Sequence, residues 1–374
     1  MENLVMTNTN FWLGKRVLLT GHTGFKGCWL LLWLQELGAE VWCYSLEPND
    51  PPNLFREIAK ERPAGKNWHH TIGDIREGNK LSLIIKQSQP EIVFHLAAQA
   101  LVQNSYLDPI GTWSTNVQGS LHLLEGLKQL KHQCAVVMIT TDKVYRNNEW
   151  GYGYRENDRL GGHDPYSSSK AAAEIAISSW RASFCGNGRE QTPFLKIASA
   201  RAGNVIGGGD WAPNRIIPDT IRALSQKKVI TVRNPSSTRP WQHVLEPLSG
   251  YLLLAEQLAY KPDDVKLADA FNFGPKIESN TSVENLIREV LKHWDGKWTK
   301  LPTSQALHEA RSLHLNIDKA YNILEWSPQW NFSKTVERTI RWYKKVLNGG
   351  SSLESCLSDL ALYNSSKNFP SNQN

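Results

Sequence analysis

Short apolar runs alternate with longer amphipathic segments from Arg16 to about Ala200. The runs rich in β-branched residues predict strands; they lie at residues 16–20, 40–45, 92–96, 135–140 and 195–201. The amphipathic segments that fill most of the gaps predict helices. Since strands that alternate with helices build a parallel sheet with crossover helices, we expect an α/β fold with a Rossmann-type doubly wound parallel sheet.

The pattern loosens after Gly203 into a glycine-rich stretch at 207–209 and irregular, proline-containing segments. This change predicts a smaller C-terminal α/β lobe that binds the substrate. Residues 246–258 predict a helix and residues 269–273 predict a strand, and we expect both to return to the large sheet.

These patterns predict two domains and a tail. Residues 1–200, with part of 242–275, form the dinucleotide-binding domain, and 201–350 mainly form the substrate lobe. Residues 333–347 predict a helix because their apolar positions recur every three to four residues. Residues 351–374 are rich in Ser and Asn and predict a polar, flexible tail.

Composition excludes several classes of protein. Hydrophobic residues make up 40% of the 374 residues, and no apolar run approaches the roughly 18 residues that a membrane-spanning helix needs. The polar N-terminus does not resemble a secretory signal, so we expect a cytoplasmic protein that contacts no membrane. The five cysteines are scattered without a C-x-x-C pair and predict free thiols.

The charge distribution favours a small anionic ligand over nucleic acid. The net charge is +6, but 42 basic residues are interleaved with 36 acidic ones. His69 and His70 are adjacent, yet no cysteine or carboxylate cluster accompanies them. We therefore expect a solvated loop at these histidines and no metal site.

Three glycines follow the first predicted strand at a spacing typical of a dinucleotide-binding turn. Gly21 permits the tight bend, Gly24 lets the backbone approach a pyrophosphate, and Gly27 lets helix and strand pack closely. Backbone N–H groups at the helix start would hold the phosphates. The turn also contains Thr23, Phe25 and Lys26, which we assign to the cofactor site.

The second strand ends at Ser45 without a carboxylate for the ribose hydroxyls, which leaves NAD and NADP both open. Lys26 suits the extra phosphate of NADP or a solvated turn equally well. Further walls of the cofactor site are predicted at the ends of later strands. They are Asp74, Ile75, Leu96, Ala97, Ala98 and Thr140.

Tyr166 and Lys170 lie four residues apart and therefore on one face of a predicted helix. A lysine cation favours the phenolate, so we expect the tyrosine to act as a general base and the lysine to hold the cofactor ribose as well. Thr141, at the end of the preceding strand, is placed to hydrogen-bond the substrate oxygen. Asp142 and Lys143 follow it as a candidate acid and base, which simple hydride transfer does not require.

Longer motifs at 200–211, 215–219 and 239–244 accompany the glycine turn and the Tyr166/Lys170 pair. Together they resemble the extended short-chain dehydrogenase/reductase family and, within it, the sugar-nucleotide 4,6-dehydratases that act on CDP-glucose. The resemblance covers residues 13–347. The dTDP- and GDP-linked dehydratases carry a glutamate where this chain has Lys143, and the CDP-glucose branch carries a lysine.

The resemblance implies NAD as cofactor and a reaction in which a hydride leaves C4 of the hexose and returns to C6. Tyr166, assisted by Thr141 and Lys170, would take the 4-hydroxyl proton. Lys143, or a water that it orients, would remove the C5 proton while Asp142 protonates the departing 6-hydroxyl. The product would be CDP-4-keto-6-deoxyglucose.

The substrate side and the assembly follow from the same resemblance. Guanidinium groups match phosphate oxygens well, and we assign the substrate site to Gln99, Asn204, Arg215, Arg239 and His243. Apolar faces on the predicted helices 112–130 and 165–184 suit a homodimer.

Three alternatives stay open. A 4-epimerase of the same fold would keep Tyr166 and Lys170 but needs no acid and base for water loss. A dehydratase acting on another nucleotide sugar is the second alternative, and a direct assay with several sugar nucleotides would separate it from the CDP-glucose interpretation. A dinucleotide-sensing binding protein would share the fold without catalysis, and we expect such a protein to lack the intact tyrosine and lysine pair.

Overall fold

Seven parallel strands form the central sheet of the molecule. The computed structural model describes residues 9–65, 67–185, 194–301 and 312–366. The strands of the sheet are β1 (Arg16–Thr20), β2 (Glu40–Ser45), β3 (Trp68–Ile72), β4 (Ile92–His95), β5 (Cys134–Ile139), β6 (Leu195–Arg201) and β11 (Ala270–Asn272). Their order across the sheet is β11-β6-β5-β4-β1-β2-β3, and every neighbouring pair is parallel. The Rossmann-type sheet predicted from the sequence is confirmed.

Short antiparallel and parallel strand pairs build the region beyond β6. They are β7 (Val205–Ile206) with β10 (Gln242–His243), β8 (Ile230–Val232) with β13 (Trp298–Lys300), and β9 (Thr238–Pro240) with β12 (Asn280–Ser282). Strand β11 leaves this region and joins the large sheet beside β6, as the sequence predicted for residues 269–273.

Helices cover both faces of the sheet. In chain order they are α1 (Thr9–Trp12), α2 (Phe25–Glu36), α3 (Leu54–Glu61), α4 (Gly78–Ser88), α5 (Val102–Leu107), α6 (Pro109–Trp113), α7 (Gly119–Leu127), α8 (Pro165–Phe184), α9 (Ile216–Ser225), α10 (Leu245–Tyr260), α11 (Val283–His293), α12 (Asp318–Leu324), α13 (Phe332–Leu347) and α14 (Ser352–Ser366). A π-helical turn at Ser114–Gln118 separates α6 from α7, so the helix predicted at 112–130 is interrupted.

Alternate side chains of the strands enter two separate cores, as the period of a strand requires. Val17 and Leu19 of β1 pack in the core that contains α2 and α10, and Leu18 packs in the core that contains α4 and α7. The strands other than β3 are largely buried on both faces, which explains why they are continuous apolar runs in the sequence.

Strand β3 corrects one sequence prediction. His69 and His70 lie in this edge strand and not in a loop. The Nε2 atom of His22, in the glycine turn, lies 2.7 Å from Nδ1 of His70. The edge position explains the error, because only Trp68 of the five residues is buried and the polar pattern conceals the strand.

The C-terminal segment corrects a second prediction. Residues from Ser352 to Ser366 form helix α14, whereas a flexible tail was expected. An apolar stripe at three- to four-residue spacing is buried against the body of the protein: Leu353, Cys356, Leu360 and Tyr363. Asp359 also accepts a hydrogen bond from Arg338 Nε at 2.7 Å in the interior. The Ser-rich composition masks this stripe, and predicted tail residues 367–374 lie outside the described residues.

Three further findings concern the described part of the chain. All five cysteines are free thiols. Among the described residues no helix has the length and apolar character to cross a membrane, and no group of three or more potential metal ligands occurs.

Candidate active site

A large cavity opens where the parallel strands end. Its volume is about 1680 Å³. Cavities that hold one small ligand are usually about 300–1,000 Å³, so this one has room for two ligands together. Residues that directly follow β1, β4, β5 and β6 line it, which is the position at which open α/β sheets bind their ligands.

The glycine turn forms one wall of the cavity and requires its glycines. Gly21 has φ +80°, and a Cβ atom there would lie 2.6 Å from the backbone nitrogen of Ala97. A Cβ at Gly27 would collide with the carbonyl of Gly21. Helix α2 begins at Phe25, and its N-cap Gly24 offers no side chain to the first N–H groups. These N–H groups therefore remain suited to an anion such as a pyrophosphate.

Every residue assigned from the sequence to the cofactor site lines this cavity. They are Gly21, Thr23, Gly24, Phe25, Lys26, Gly27, Ser45, Asp74, Ile75, Leu96, Ala97, Ala98, Thr140, Tyr166 and Lys170. At the end that contains β2, Thr23 Oγ1 and Ser45 Oγ lie 2.7 Å apart. Asp74 is held there by Arg76, and this hydrogen bond lowers the pKa of the Asp74 carboxyl.

Lys26 occupies an unexpected position. Its Nζ lies 3.5 Å from the hydroxyl of Tyr251, inside the cavity. Burial lowers the pKa of Lys26 to about 8, with Arg215 lowering it further and Asp142 opposing the shift. The amine is thus electrostatically coupled to the catalytic candidates Asp142 and Lys170. Neither role considered for Lys26, a solvated turn residue or a host for the NADP phosphate, predicted this contact with Tyr251.

Tyr166 and Lys170 project from the first turns of α8 into the cavity. Asp164 caps the helix through a 2.9 Å hydrogen bond from Ser167 N, and Pro165 occupies the first position. Lys170 Nζ donates to the carbonyl of Ile139 at 3.3 Å, and burial lowers the pKa of Lys170 to about 8.

The state of Tyr166 differs from the expectation. Burial raises the pKa of Tyr166 to about 12, although its hydrogen bond with Thr141 acts in the opposite direction. Lys170 was expected to bring the phenol closer to neutral pH, but desolvation sets the direction of the pKa shift. The phenol is therefore protonated at neutral pH in the protein alone.

Thr141, Asp142 and Lys143 lie together at the end of β5. Thr141 caps the short 3₁₀ helix Asp142–Val144 and donates from Oγ1 to Asp142 Oδ1 at 3.0 Å. The other carboxylate oxygen accepts from Asn204 Nδ2 at 3.1 Å. A side chain at position 203 would collide with the Asp142 carboxyl, so Gly203 permits this approach. Lys143 is half-buried and lines the same cavity.

Three of the five residues assigned to the substrate line the cavity: Asn204, Arg215 and Arg239. Arg215 forms a 2.9 Å ion pair with Asp210, and Arg239 donates to the carbonyl of Thr238 at 2.8 Å. Asn204 contacts Asp142, as described above, so its observed partner is a catalytic candidate.

His243 and Gln99 do not reach the cavity, which corrects both assignments. His243 is fully buried between Trp29 and Trp330, and burial lowers its pKa to about 3. Gln99 donates from Nε2 to Thr112 Oγ1 at 2.9 Å and to the carbonyl of Leu101 at 3.1 Å. Both residues therefore support neighbouring segments, which their positions in the sequence motifs did not reveal.

Further segments that the sequence did not indicate also line the cavity. They are residues 146–149, residues 159–164, and residues 228–234, which contain Lys228, strand β8 and Arg233. The first two segments have no regular hydrophobic pattern, and β8 is too short for its pattern to identify a site.

A cavity at the carboxyl ends of a seven-stranded parallel sheet, a glycine turn and a buried Tyr-Lys pair define an enzyme of the extended short-chain dehydrogenase/reductase class. The model of a protein family described as "GDP-mannose 4,6 dehydratase" matches residues 18–339 of the chain. The chain belongs to that family.

The chain is also similar to individual proteins and solved structures. The chain is 47% identical over 346 residues to a CDP-glucose 4,6-dehydratase of Salmonella typhimurium, covering 92% of this chain and 94% of that one. Among solved structures, a dTDP-glucose 4,6-dehydratase from Streptomyces venezuelae with NAD bound is 22% identical at a TM-score of 0.75, covering 90% and 99% of the two chains. An epimerase from Methanothermobacter thermautotrophicus is 23% identical at a TM-score of 0.77, covering 92% and 98%. The two structural likenesses concern the fold alone.

Proposed function

We propose that this protein converts CDP-glucose to CDP-4-keto-6-deoxyglucose and water. NAD is the cofactor, and it is reduced and re-oxidised within each turnover. The observation that carries the proposal is the meeting of Tyr166 and Lys170 with Thr141, Asp142 and Lys143 in one cavity. The 47% identical CDP-glucose 4,6-dehydratase supports the nucleotide.

The glycine turn fits a dinucleotide because side chains at Gly21 or Gly27 would fill the space beside the backbone. Gly21, Gly24 and Gly27 would hold the pyrophosphate, Ser45 a ribose, and Lys170 the ribose beside the nicotinamide. NAD, when bound, supplies the acceptor and later the donor of the hydride.

Each catalytic side chain has one task in the proposed reaction. Tyr166 takes the proton of the 4-hydroxyl while Thr141 hydrogen-bonds the same oxygen. Lys143, or a water that it orients, takes the C5 proton. Asp142 protonates the 6-hydroxyl, which leaves as water. Arg215 and Arg239 are assigned to the diphosphate, because guanidinium groups bind phosphate oxygens through paired hydrogen bonds.

The acid and base pair favours a dehydratase over a 4-epimerase. Asp142 is almost completely buried and is held by two hydrogen bonds, from Thr141 and Asn204. Burying and fixing a carboxyl group costs free energy. A 4-epimerase removes and returns a hydrogen only at C4, and that reaction does not need the Asp142 carboxyl as an acid. An intact Tyr-Lys pair also argues against a binding protein without catalysis.

The decisive experiment is to incubate the protein with NAD+ and CDP-glucose and to follow the alkali-sensitive absorbance of a 4-keto-6-deoxy sugar. UDP-, dTDP- and GDP-glucose serve as parallel substrates. Substrate deuterated at C4 should give product deuterated at C6. Product from another nucleotide alone would correct the substrate, and a 4-epimer without water loss would contradict dehydration.

The assembly is also part of the proposal: two copies pair through the side of the protein formed by α6 and α8. Ile110 and Trp113 on α6 and Ile175 on α8 are exposed apolar residues. Ile175→Lys should shift the mass measured by light scattering from dimer to monomer. Leu83→Lys, at an exposed apolar position on α4, is the control.

A cytoplasmic location stays a prediction from the N-terminal composition.

A further inference from the structure

The segment 141–143, which carries three of the catalytic candidates, is held by a hydrogen bond just before it and another shortly after it. Before the segment, Thr140 Oγ1 donates to Glu174 Oε1 on helix α8 at 2.5 Å. After the segment, the hydroxyl of Tyr145 accepts from Arg201 Nη1 at 2.8 Å. All four of these side chains are buried. Both hydrogen bonds therefore lie in the interior, where the low dielectric constant strengthens them.

An ion pair joins these two hydrogen bonds to each other. Arg201 Nη2 donates to Glu174 Oε2 at 2.7 Å, and the same oxygen accepts from Ser199 Oγ at 2.9 Å. Burial acts to raise the pKa of Glu174, but the Arg201 charge and the three hydrogen bonds outweigh it, so the pKa is lowered and the carboxylate is ionised at neutral pH. The pair between Arg201 and Glu174 thus holds the segment 141–143 on both sides.

Helix α8 contacts two successive residues at the end of β5. Lys170 Nζ donates to the carbonyl of Ile139 at 3.3 Å, and Glu174, one turn further along the helix, accepts from Thr140. Tyr166 lies one turn before Lys170 on the same face of the helix. These contacts set the register between the helix that carries the tyrosine and the strand end that leads to the acid and base candidates.

The phenol of Tyr145 is committed to its neighbours in the protein. It donates its hydrogen to Asn272 Oδ1 of β11 at 2.7 Å, and it accepts from Arg201. The guanidinium of Arg201 also lies 5.1 Å from the centre of the Tyr145 ring, within the range of a cation–π contact. Tyr145 lines the cavity, but its hydroxyl has no second hydrogen to offer a ligand. The contacts of Tyr145 therefore fit a role in holding the segment.

Glu174 and Arg201 lie behind the wall of the cavity and do not line it. We propose that these two are positioning residues, which hold Asp142 and Lys143 at the geometry that water loss requires. The proposal rests on the function proposed above, because it explains how the acid and base of that reaction are kept in place. Catalysis depends steeply on such placement, and a displacement of about 1 Å can lower a rate on the order of a hundredfold.

The first test replaces the ion pair with apolar residues of similar size. Glu174→Leu/Arg201→Met removes both charges together, so that neither is left buried alone, and such replacements often preserve stability. We expect kcat for dehydration of CDP-glucose to fall on the order of a hundredfold, as for a displacement of about 1 Å. The KM for CDP-glucose and the Kd of NAD+ should stay close to the wild-type values, because neither residue reaches the cavity.

The matched control is a second buried ion pair, between Arg338 and Asp359. It joins α13 to α14, and neither residue lines the cavity. Arg338→Met/Asp359→Leu should therefore keep the wild-type kcat. An equal loss of kcat in the two double variants would overturn the positioning role, because any buried ion pair would then have the same effect.

Tyr145→Phe removes one hydrogen bond at the end of the segment near Lys143 and keeps both charges of the ion pair. The two half-reactions are separated in a single turnover, with enzyme and NAD+ in excess over CDP-glucose. Reduced cofactor should form at the wild-type rate, because Tyr166 lies on α8. It should then persist, because we expect water loss to slow about tenfold, the value of one hydrogen bond to a charged group. A purely structural role would not divide the half-reactions in this way.

Wild-type kcat in Glu174→Leu/Arg201→Met, or equal slowing of both half-reactions in Tyr145→Phe, would overturn the positioning role while the proposed function stands. Wild-type protein that forms neither reduced cofactor nor ketone from CDP-glucose would contradict the proposed function, and the positioning role with it. Should the double variant fail to fold, as judged by circular dichroism, the Tyr145→Phe result decides.

Discussion

The side-chain amide of Asn204 donates to Oδ2 of Asp142 across 3.1 Å, although the two residues lie 62 positions apart in the chain. Asn204 also adopts a left-handed backbone conformation, with φ +50°. This geometry directs the amide toward the carboxyl end of β5, so Asn204 positions the proposed acid.

Asn204→Gly removes the amide but tolerates the positive φ. We expect kcat for dehydration to fall about tenfold, the value of one hydrogen bond to a charged group, while the Kd of NAD+ stays unchanged. Asn204→Ala should lose activity equally and, compared with Asn204→Gly, have a free energy of unfolding lower by about 1–2 kcal/mol, because a Cβ is strained in this conformation and alanine has no side-chain amide to compensate. Steady-state kinetics and urea denaturation measure the two effects. A changed Kd for NAD+ would place Asn204 in the cofactor site instead.

Lys143→Ala should abolish exchange of the substrate C5 proton with solvent and leave NAD+ binding near normal. The reason is that Lys143 lines the cavity beside Asp142 without forming part of the glycine turn. Proton exchange is followed by NMR in deuterated water. Lys143→Arg is the matched variant, since it keeps the charge but is too weak an acid to act as a base at neutral pH. Unchanged exchange in Lys143→Ala would remove Lys143 from the base role.

Lys26→Met should not alter the ratio of the Kd values for NAD+ and NADP+. The Lys26 amine contacts the hydroxyl of Tyr251, whereas the cofactor ribose is assigned to Ser45, which contacts Thr23 at the end of β2. Ser45→Asp is the comparison, and the new carboxylate should strengthen the preference for NAD+. Equilibrium binding measures both ratios. A selective loss of NADP+ binding in Lys26→Met would instead assign Lys26 to the extra phosphate of NADP+.

The rate of dehydration should depend on the charge of Lys170. Burial lowers the pKa of Lys170 to about 8, with Glu174 opposing the shift. The ammonium is therefore present below pH 8 and is lost above it, so we expect kcat/KM to decline on the alkaline side from about pH 8. Lys170→Arg should move this decline to higher pH. Lys26 has a similar pKa of about 8, so a shift in Lys26→Arg with none in Lys170→Arg would assign the decline to Lys26.

Helix α14 should depend on the buried ion pair between Arg338 and Asp359. Arg338→Met leaves the carboxylate buried alone, and the free energy of unfolding should fall by about 3–5 kcal/mol. The double variant Arg338→Met/Asp359→Leu should recover most of that loss. Urea denaturation followed by circular dichroism measures all three proteins. Equal losses in the single and double variants would mean that the pair contributes through packing alone.

The sequence predicted the elements that are defined by local pattern. Six strands and the helices α8, α10 and α13 agree with the predicted ranges to within one or two residues. Strand β3 was missed because an exposed edge strand buries too few residues for an apolar pattern. Helix α14 was missed because its many serines conceal the buried apolar stripe.

The candidate active site also divides into parts that the local sequence indicated and parts that depend on residues distant in the chain. The glycine turn and the Tyr166/Lys170 pair were identifiable because each is built from residues close together in the chain. His243 and Gln99 were misassigned, since membership of a motif does not say which way a side chain points. The partners of Lys26 and Asn204 were missed because Tyr251 and Asp142 are remote in sequence.

What the sequence determined by itself is the order of strands and helices, the backbone geometry of the glycine turn and the residue types available for chemistry, since these follow from local sterics and periodicity. The tertiary structure alone decided which of those groups share a desolvated space. Burial and the neighbours supplied by distant segments set the protonation of Tyr166 and the contacts of Asp142, because desolvation and hydrogen bonding act over a few ångströms, regardless of distance along the chain.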